Sequence, residues 1–253
     1  MPDELTKACI NLHSVLRNLE DLCQLDQEAK SLISAKDISI LFSAKDVPEA
    51  LLSFKNGKCT MSKGAGPHDI KLYFKSPQHF NQMMEGKANP IPVKGITKIG
   101  FLKNEFTKLT DKLAYYLKPT ELLLKDPNYA NINTILTAYT AFFALAEIGN
   151  NDRIGKLNAH RIPDGIIAVS VLNGGPSISI NVKGGRLEVI KGAAEKPRAI
   201  MSFDSLSTAN GVLNGKLDSY TCIGDGRLEI KGYIPMIDNM NKLLAQVPAY
   251  LSE

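Results

Sequence analysis

Several of the usual marks of catalysis and of covalent cross-linking are missing from this chain. The four cysteines, Cys9, Cys23, Cys59 and Cys222, form no C-x-x-C pair and sit at scattered spacings. That pattern argues against a zinc site or a disulfide framework and is read as buried thiols. The histidines, His13, His68, His79 and His160, belong to no recognised motif, so no nucleophile, base and orienting group can be assembled around them. No G-x-x-x-x-G-K-[ST] run occurs, and the Gly-Lys pairs at Gly86 and Gly215 follow predicted helices instead of preceding them. The segments GAGPHD from Gly64 and GDGR from Gly224 lack the third glycine of a dinucleotide fingerprint and are read as turns. No metal, no cofactor and no catalytic residue is expected.

Runs of one charge are also missing. Thirty basic residues face 26 acidic ones, for a net charge of +4, and lysine is spread along the chain, so a nucleic-acid partner is not expected. The start, Met1-Pro2-Asp3-Glu4, is acidic and has no basic segment leading into an apolar run, which argues against a signal peptide and for a cytoplasmic protein. The longest uncharged stretch, Pro127 to Ala146, approaches membrane-spanning length but carries several Asn and Thr residues. It is read as a buried helix, and no transmembrane segment is expected.

What the chain does have is a repeat. NGKCTMSKGA from Asn56 aligns with GGRLEVIKGA from Gly184 at an offset of 128, with Ile38/Ile166, Pro48/Pro176 and Lys55/Lys183 upstream in the same frame. After one inserted residue, FKSPQHFNQMMEGK from Phe74 aligns with FDSLSTANGVLNGK from Phe203, and both read F-x-S-x4-N-x4-G-K. Two copies of one domain follow, residues 1–120 and 121–253. With 44% hydrophobic residues, each can fill a core.

Each copy opens with a helix. In the first, Leu5, Cys9, Leu12, Leu16, Leu19 and Cys23 form one apolar face. In the second the helix starts at Asp126-Pro127 and stops near Gly149, and it is apolar nearly all round, which predicts a position between the two copies. Four strands come next, Ile38–Ser43, Ala50–Lys55, Lys58–Lys63 and Asp69–Phe74, with counterparts Ile166–Leu172, Ser177–Lys183, Arg186–Lys191 and Arg198–Phe203. Asn56-Gly57 and Gly184-Gly185 accept positive φ and predict tight hairpins. A short helix, Ser76–Glu85 or Ser205–Asn214, precedes a fifth strand, Ile96–Leu102 or Gly226–Lys231, and a closing helix, Asn104–Leu117 or Met236–Gln246. The expected fold is α+β, two tandem copies of a five-stranded, mostly antiparallel sheet covered on one face by helices.

The block from Val212 to Leu244 carries Gly215-Lys216-Leu217 after a helix, then Arg227-Leu228, Ile230-Lys231-Gly232 on a strand, then an apolar closing helix. It resembles the C-terminal signature of the sterol carrier protein type-two domain. The first copy keeps Gly86, Lys87 and Gly100 and matches through the repeat. The resemblance implies an apolar tunnel between sheet and helices that takes up fatty acids, fatty acyl-CoA or sterols, with no catalytic residues. It also allows for members fused to acetyltransferases and alkylsulfatases, so fold alone does not establish a ligand.

Candidate lining residues follow from helix spacing. Phe80, Met83 and Met84 share one face of the short helix, and their counterparts are Ala209, Val212 and Leu213. The first set fills a tunnel where Ala209 leaves room in the second. On the closing helix Ile237, Met240 and Leu244, next to Val247, face the same way, and methionine moulds readily to an acyl chain. Core packing explains these residues too. The expected function is non-enzymatic binding or transfer of an apolar small molecule such as a fatty acid, acyl-CoA or other lipid, mainly in the second copy; the alternative is a protein-interaction or oligomerisation module with filled tunnels, and a small-molecule enzyme comes last. A homodimer is among the assemblies left open.

Overall fold

A computed structural model describes residues 3–251, and the chain divides into one unit running up to Lys118 and a second spanning Pro119–Tyr250. In the first unit α1 (Glu4–Ile10) is capped by Asp3, whose carboxylate accepts the Thr6 amide. It runs through a π turn, Asn11–Val15, and a 3-10 turn, Leu16–Asn18, into α2 (Leu19–Leu25). Of the apolar face read from the sequence, Cys9, Leu12, Leu16, Leu19 and Cys23 are buried and Leu5 is half-buried. Asp26 then turns the chain and caps α3 (Gln27–Ile33).

The strands β1 (Ile38–Ala44), β2 (Ala50–Lys55), β3 (Lys58–Lys63) and β4 (Ile70–Phe74) lie close to the spans predicted for them. Asn56 and Gly57, at φ 52° and 70°, make the two-residue turn that pairs Lys55 with Lys58. After α4 (Pro77–Met84) comes β5 (Ile91–Lys94), then α5 (Ile99–Phe101), a π turn at Leu102–Phe106 and α6 (Thr107–Leu117). The second unit repeats the plan with α7 (Pro127–Asn151), α8 (Arg153–Ala159), β6 (Gly165–Val171), β7 (Ser177–Lys183), β8 (Arg186–Lys191), β9 (Ala199–Phe203), α9 (Leu206–Leu213), α10 (Ser219–Gly224), β10 (Leu228–Gly232), α11 (Ile234–Leu244) and α12 (Val247–Leu251).

Each unit has a five-stranded sheet, ordered β3-β2-β1-β4-β5 and β8-β7-β6-β9-β10. Neighbours are antiparallel except the central pairs, β1 with β4 and β6 with β9, which are parallel. Burial alternates along β2, β4 and β9, so one face of each sheet is fully packed and the other is mostly half-buried. The fold is α+β, as expected.

One predicted element is displaced. The segment Ile96–Leu102, read as the fifth strand of the first copy, is helical, and the strand is Ile91–Lys94. Gly95, at φ 80°, ends it, and a Cβ there would overlap the Asp69 carbonyl. Gly232, at φ 83°, makes the same close approach to the Arg198 carbonyl, so Val93-Lys94-Gly95 is the true counterpart of Ile230-Lys231-Gly232. The offset rises from 129 at Phe74/Phe203 to 137 here, because the second copy inserts α10. Freed from the strand, Phe101 turns inward and packs edge-on against Phe54 at 5.3 Å.

Helix α7 is long and apolar enough to cross a membrane, yet most of it is buried inside the protein. Its main neighbours, α8, α9, α11 and β8, all belong to its own unit. These neighbours cover much of its apolar circumference within the second unit. All four cysteines are buried.

Candidate functional site

Both short helices are positioned by a serine. Ser76 Oγ accepts the His79 amide at 3.1 Å and Ser205 Oγ accepts the Thr208 amide at 3.2 Å, which fixes the first turn of α4 and of α9. The helices then present different residues to matching sheet positions. In the first unit Phe80 is fully buried and stands edge-on to Phe74 at 4.9 Å. In the second, Phe203 is buried at the corresponding strand end, and the position of Phe80 is taken by Ala209, also fully buried.

The other candidates divide. Met83 and Met84 are half-buried, as are Val212 and Leu213, so each short helix sends one residue of its set fully inside. On α11, Ile237 and Met240 are buried, with Met236 beside them. Leu244 is half-buried and Leu243 is the inward residue. Its side chain reaches the bare backbone of Gly149, where a Cβ would sit 3.3 Å from Leu243 Cδ1 and 2.8 Å from Leu187 Cδ1. The glycine near the end of α7 makes this approach possible, and the sequence spacing gave no sign of it.

The asparagine of F-x-S-x4-N-x4-G-K, noted in the sequence only as part of the repeat, is a clasp in both units. Asn81 accepts from Asn11 Nδ2 at 3.0 Å and donates to the Glu4 carbonyl at 3.0 Å and the Glu4 carboxylate at 2.7 Å, tying α4 to the opening helix. Asn210 donates to Asn133 Oδ1 at 2.9 Å and Thr134 Oγ1 at 2.8 Å on α7. Asn81 is buried and Asn210 only half-buried. Asn81→Ala is therefore expected to cost about 1–3 kcal/mol by stranding the Asn11 amide, and Asn210→Ala less. Hydrogen exchange at α1 and α7, compared between the two variants, checks the order.

A second clasp recurs at the closing helices. Tyr116 Oη donates to the Asp26 carboxylate at 2.9 Å and Tyr250 Oη to that of Asp152 at 2.8 Å, each Asp being the cap of the second opening helix. At the end of α4 the Lys7 ammonium, with Lys87, holds the Glu85 carboxyl at about 2, well below its ordinary range. His79 has a structural role. Nδ1 accepts the Lys75 amide at 3.1 Å, so Nε2 carries the proton and donates to the Asn89 carbonyl at 3.0 Å. Among the described residues no cluster of three His, Cys, Asp or Glu side chains gathers.

This plan can be set beside known proteins. No protein-family model matches the chain, and no curated protein matches it by sequence. Among solved structures, the sterol carrier protein domain 2 of Helicoverpa armigera is 21% identical, with 46% of this chain and 92% of that domain covered and a TM-score of 0.36. By fold, the chain is similar to sterol carrier protein domains. Sterol carrier protein 2 from Yarrowia lipolytica, in its apo form, is 17% identical over 46% of this chain and 94% of its own, at a TM-score of 0.33. The palmitated sterol carrier protein 2-like 2 of Aedes aegypti is 16% identical over 45% and 94%, also at 0.33.

Proposed function

We propose that the second sterol-carrier-like unit binds an elongated apolar molecule, a fatty acid, acyl-CoA or related lipid, against α9 and α11, and carries it without chemical change. The observation behind this reading is the exchange of Phe80 for Ala209. Two units with the same strand order, the same serine caps and the same asparagine clasp differ by a whole aromatic ring at a fully buried position. Met236 and Met240 on α11 add adaptable apolar surface. The signature from Val212 to Leu244 supports the same reading, and a cytoplasmic location goes with it. Burying about ten methylenes at roughly 0.8 kcal/mol each gives about 8 kcal/mol gross, so affinity on the order of micromolar is the ceiling from this contribution before an association cost of several kcal/mol is subtracted.

The first unit favours a second reading for that half. Phe80 fills its counterpart position, while Val93 on the edge strand β5 and Ile96 just past its end are 59% and 67% exposed, as in an interaction module.

The test is native mass spectrometry of the freshly purified protein, with organic extraction of any bound lipid and an Ala209→Phe variant alongside. Co-purified acyl lipid that the variant loses is the expected result. A ligand-free protein that also ignores added fatty acids would overturn the carrier reading and leave the interaction module.

A further inference from the structure

The hairpin turn of the second unit forms one wall of a cleft of about 250 Å3, whose other walls are the end of α7 and the length of α8. Its functional groups are Lys156 and His160 from the helix side and Arg186 from the hairpin, around the bare backbone of Gly184 and Gly185. Among the described residues, neither the Lys156 ammonium nor the Arg186 guanidinium makes an ion pair. The acid at this corner, Asp164, is turned onto the Gly184 amide at 2.8 Å. Asn150 is also committed. Its side-chain amide donates to the Leu187 carbonyl at 2.8 Å and accepts the Leu187 amide at 3.0 Å, holding β8 against α7 and fixing the cleft wall.

The imidazole is particular to the second copy, whereas the two cations have counterparts in Lys30 and Lys58 of the first. Asp26 and Asp152, the caps of α3 and α8, put Ser34 where His160 stands, and the hairpin repeat at an offset of 128 puts Lys58 where Arg186 stands. The imidazole of His160 lies so close over Gly185 that a Cβ there would overlap Nδ1, whereas Gly57 has only the Ser34 backbone near it, at 3.8 Å. The helix α8 and its exit, Arg153 to Ile162, contain no acidic residue, while α3 carries Glu28.

We infer that this cleft binds a phosphoryl group, with Lys156 as a point cation, Arg186 as a planar fork matched to phosphate oxygens, and His160 as a third donor. The inference does not depend on the apolar-ligand reading. A phosphoryl group reaches such a cleft on a soluble molecule or on a lipid headgroup. Ile154 and Leu157, 55% and 57% exposed on the same helix, make the second source worth an arm of its own.

The full chain, labelled with 15N, is titrated at fixed ionic strength with inorganic pyrophosphate, and in parallel sedimented with phosphatidylcholine vesicles with and without phosphatidic acid. Lys156→Gln, Arg186→Gln and His160→Asn alter exposed side chains, and their spectra report whether the fold is kept. Saturable shifts at Gly184, Gly185 and His160 that Arg186→Gln weakens at least fivefold establish a soluble phosphoryl ligand. Sedimentation with phosphatidic acid vesicles alone, lost in the same variants, establishes the headgroup. Absence of both responses, or binding that all three variants retain at wild-type strength, overturns the inference.

Discussion

Phe80→Ala is expected to destabilise the first unit by about 3–5 kcal/mol, among the larger effects a single core substitution produces. The ring is fully buried and lies edge-on to Phe74 at 4.9 Å, so truncation removes its transfer free energy and its aromatic contact together, and leaves a void. Hydrogen exchange mapped by peptide reads the effect where it arises: α1, β4 and α4 should lose protection, and β6 to β9 should not. The void should also be apolar, since Phe74, the ring against which Phe80 stands, is itself fully buried. A small apolar probe such as benzene should then restore part of the lost protection in the variant and have no effect on the parent. A cost below about 1 kcal/mol would mean that the first unit closes over the gap. In that case the contrast between Phe80 and Ala209 would not distinguish a filled unit from an open one.

Much of this fold was legible because its local signals are strong. The hairpin turns were readable from Asn56-Gly57 and Gly184-Gly185, since all four residues take positive φ and the sequence offers types that tolerate it. The ends of α4 and α9 were readable from Gly86 and Gly215, at φ 72° and 68°. What could not be read depends on distant partners. The parallel pairing of β1 with β4 has no local signature, because it joins strands far apart in the chain. The true fifth strand of the first copy was hidden by Pro92, tolerable only at an edge, and by the α10 insertion, which shifts the repeat frame just before Val93-Lys94-Gly95. The asparagine clasps were visible as a repeated letter, but their partners, Asn11 and Glu4 in one unit and Asn133 and Thr134 in the other, do not share a frame. The choice of Leu243 over Leu244 rests on one bare position, Gly149, on a different helix.

The opening helices show how two copies of one plan have drifted apart, and they locate the second large effect. The first unit reaches α3 through a π turn and a 3-10 turn, whereas α7 runs unbroken to Asn151 before Asp152 caps α8. The third residue after the cap is Ala29 in one unit and Gly155 in the other. Ala29 is fully buried and fits. At Gly155 the last turn of α7 lies so near that a Cβ would overlap the Ile148 carbonyl. That carbonyl cannot easily retreat, because it accepts the Asp152 amide at 3.0 Å and so closes the end of α7. Gly155→Ala is therefore expected to cost the second unit about 3 kcal/mol, although the same change in an ordinary helix is favourable by about 1 kcal/mol. The reverse exchange, Ala29→Gly, should cost the first unit about 1 kcal/mol through helix propensity alone. Protection lost at α7, α8 and at Tyr250, whose hydroxyl holds the Asp152 carboxylate at 2.8 Å, would confirm that the strain sits at this corner. A Gly155→Ala variant as stable as its parent would show that α8 can swing away from α7, and would remove the steric reason for a glycine at this position.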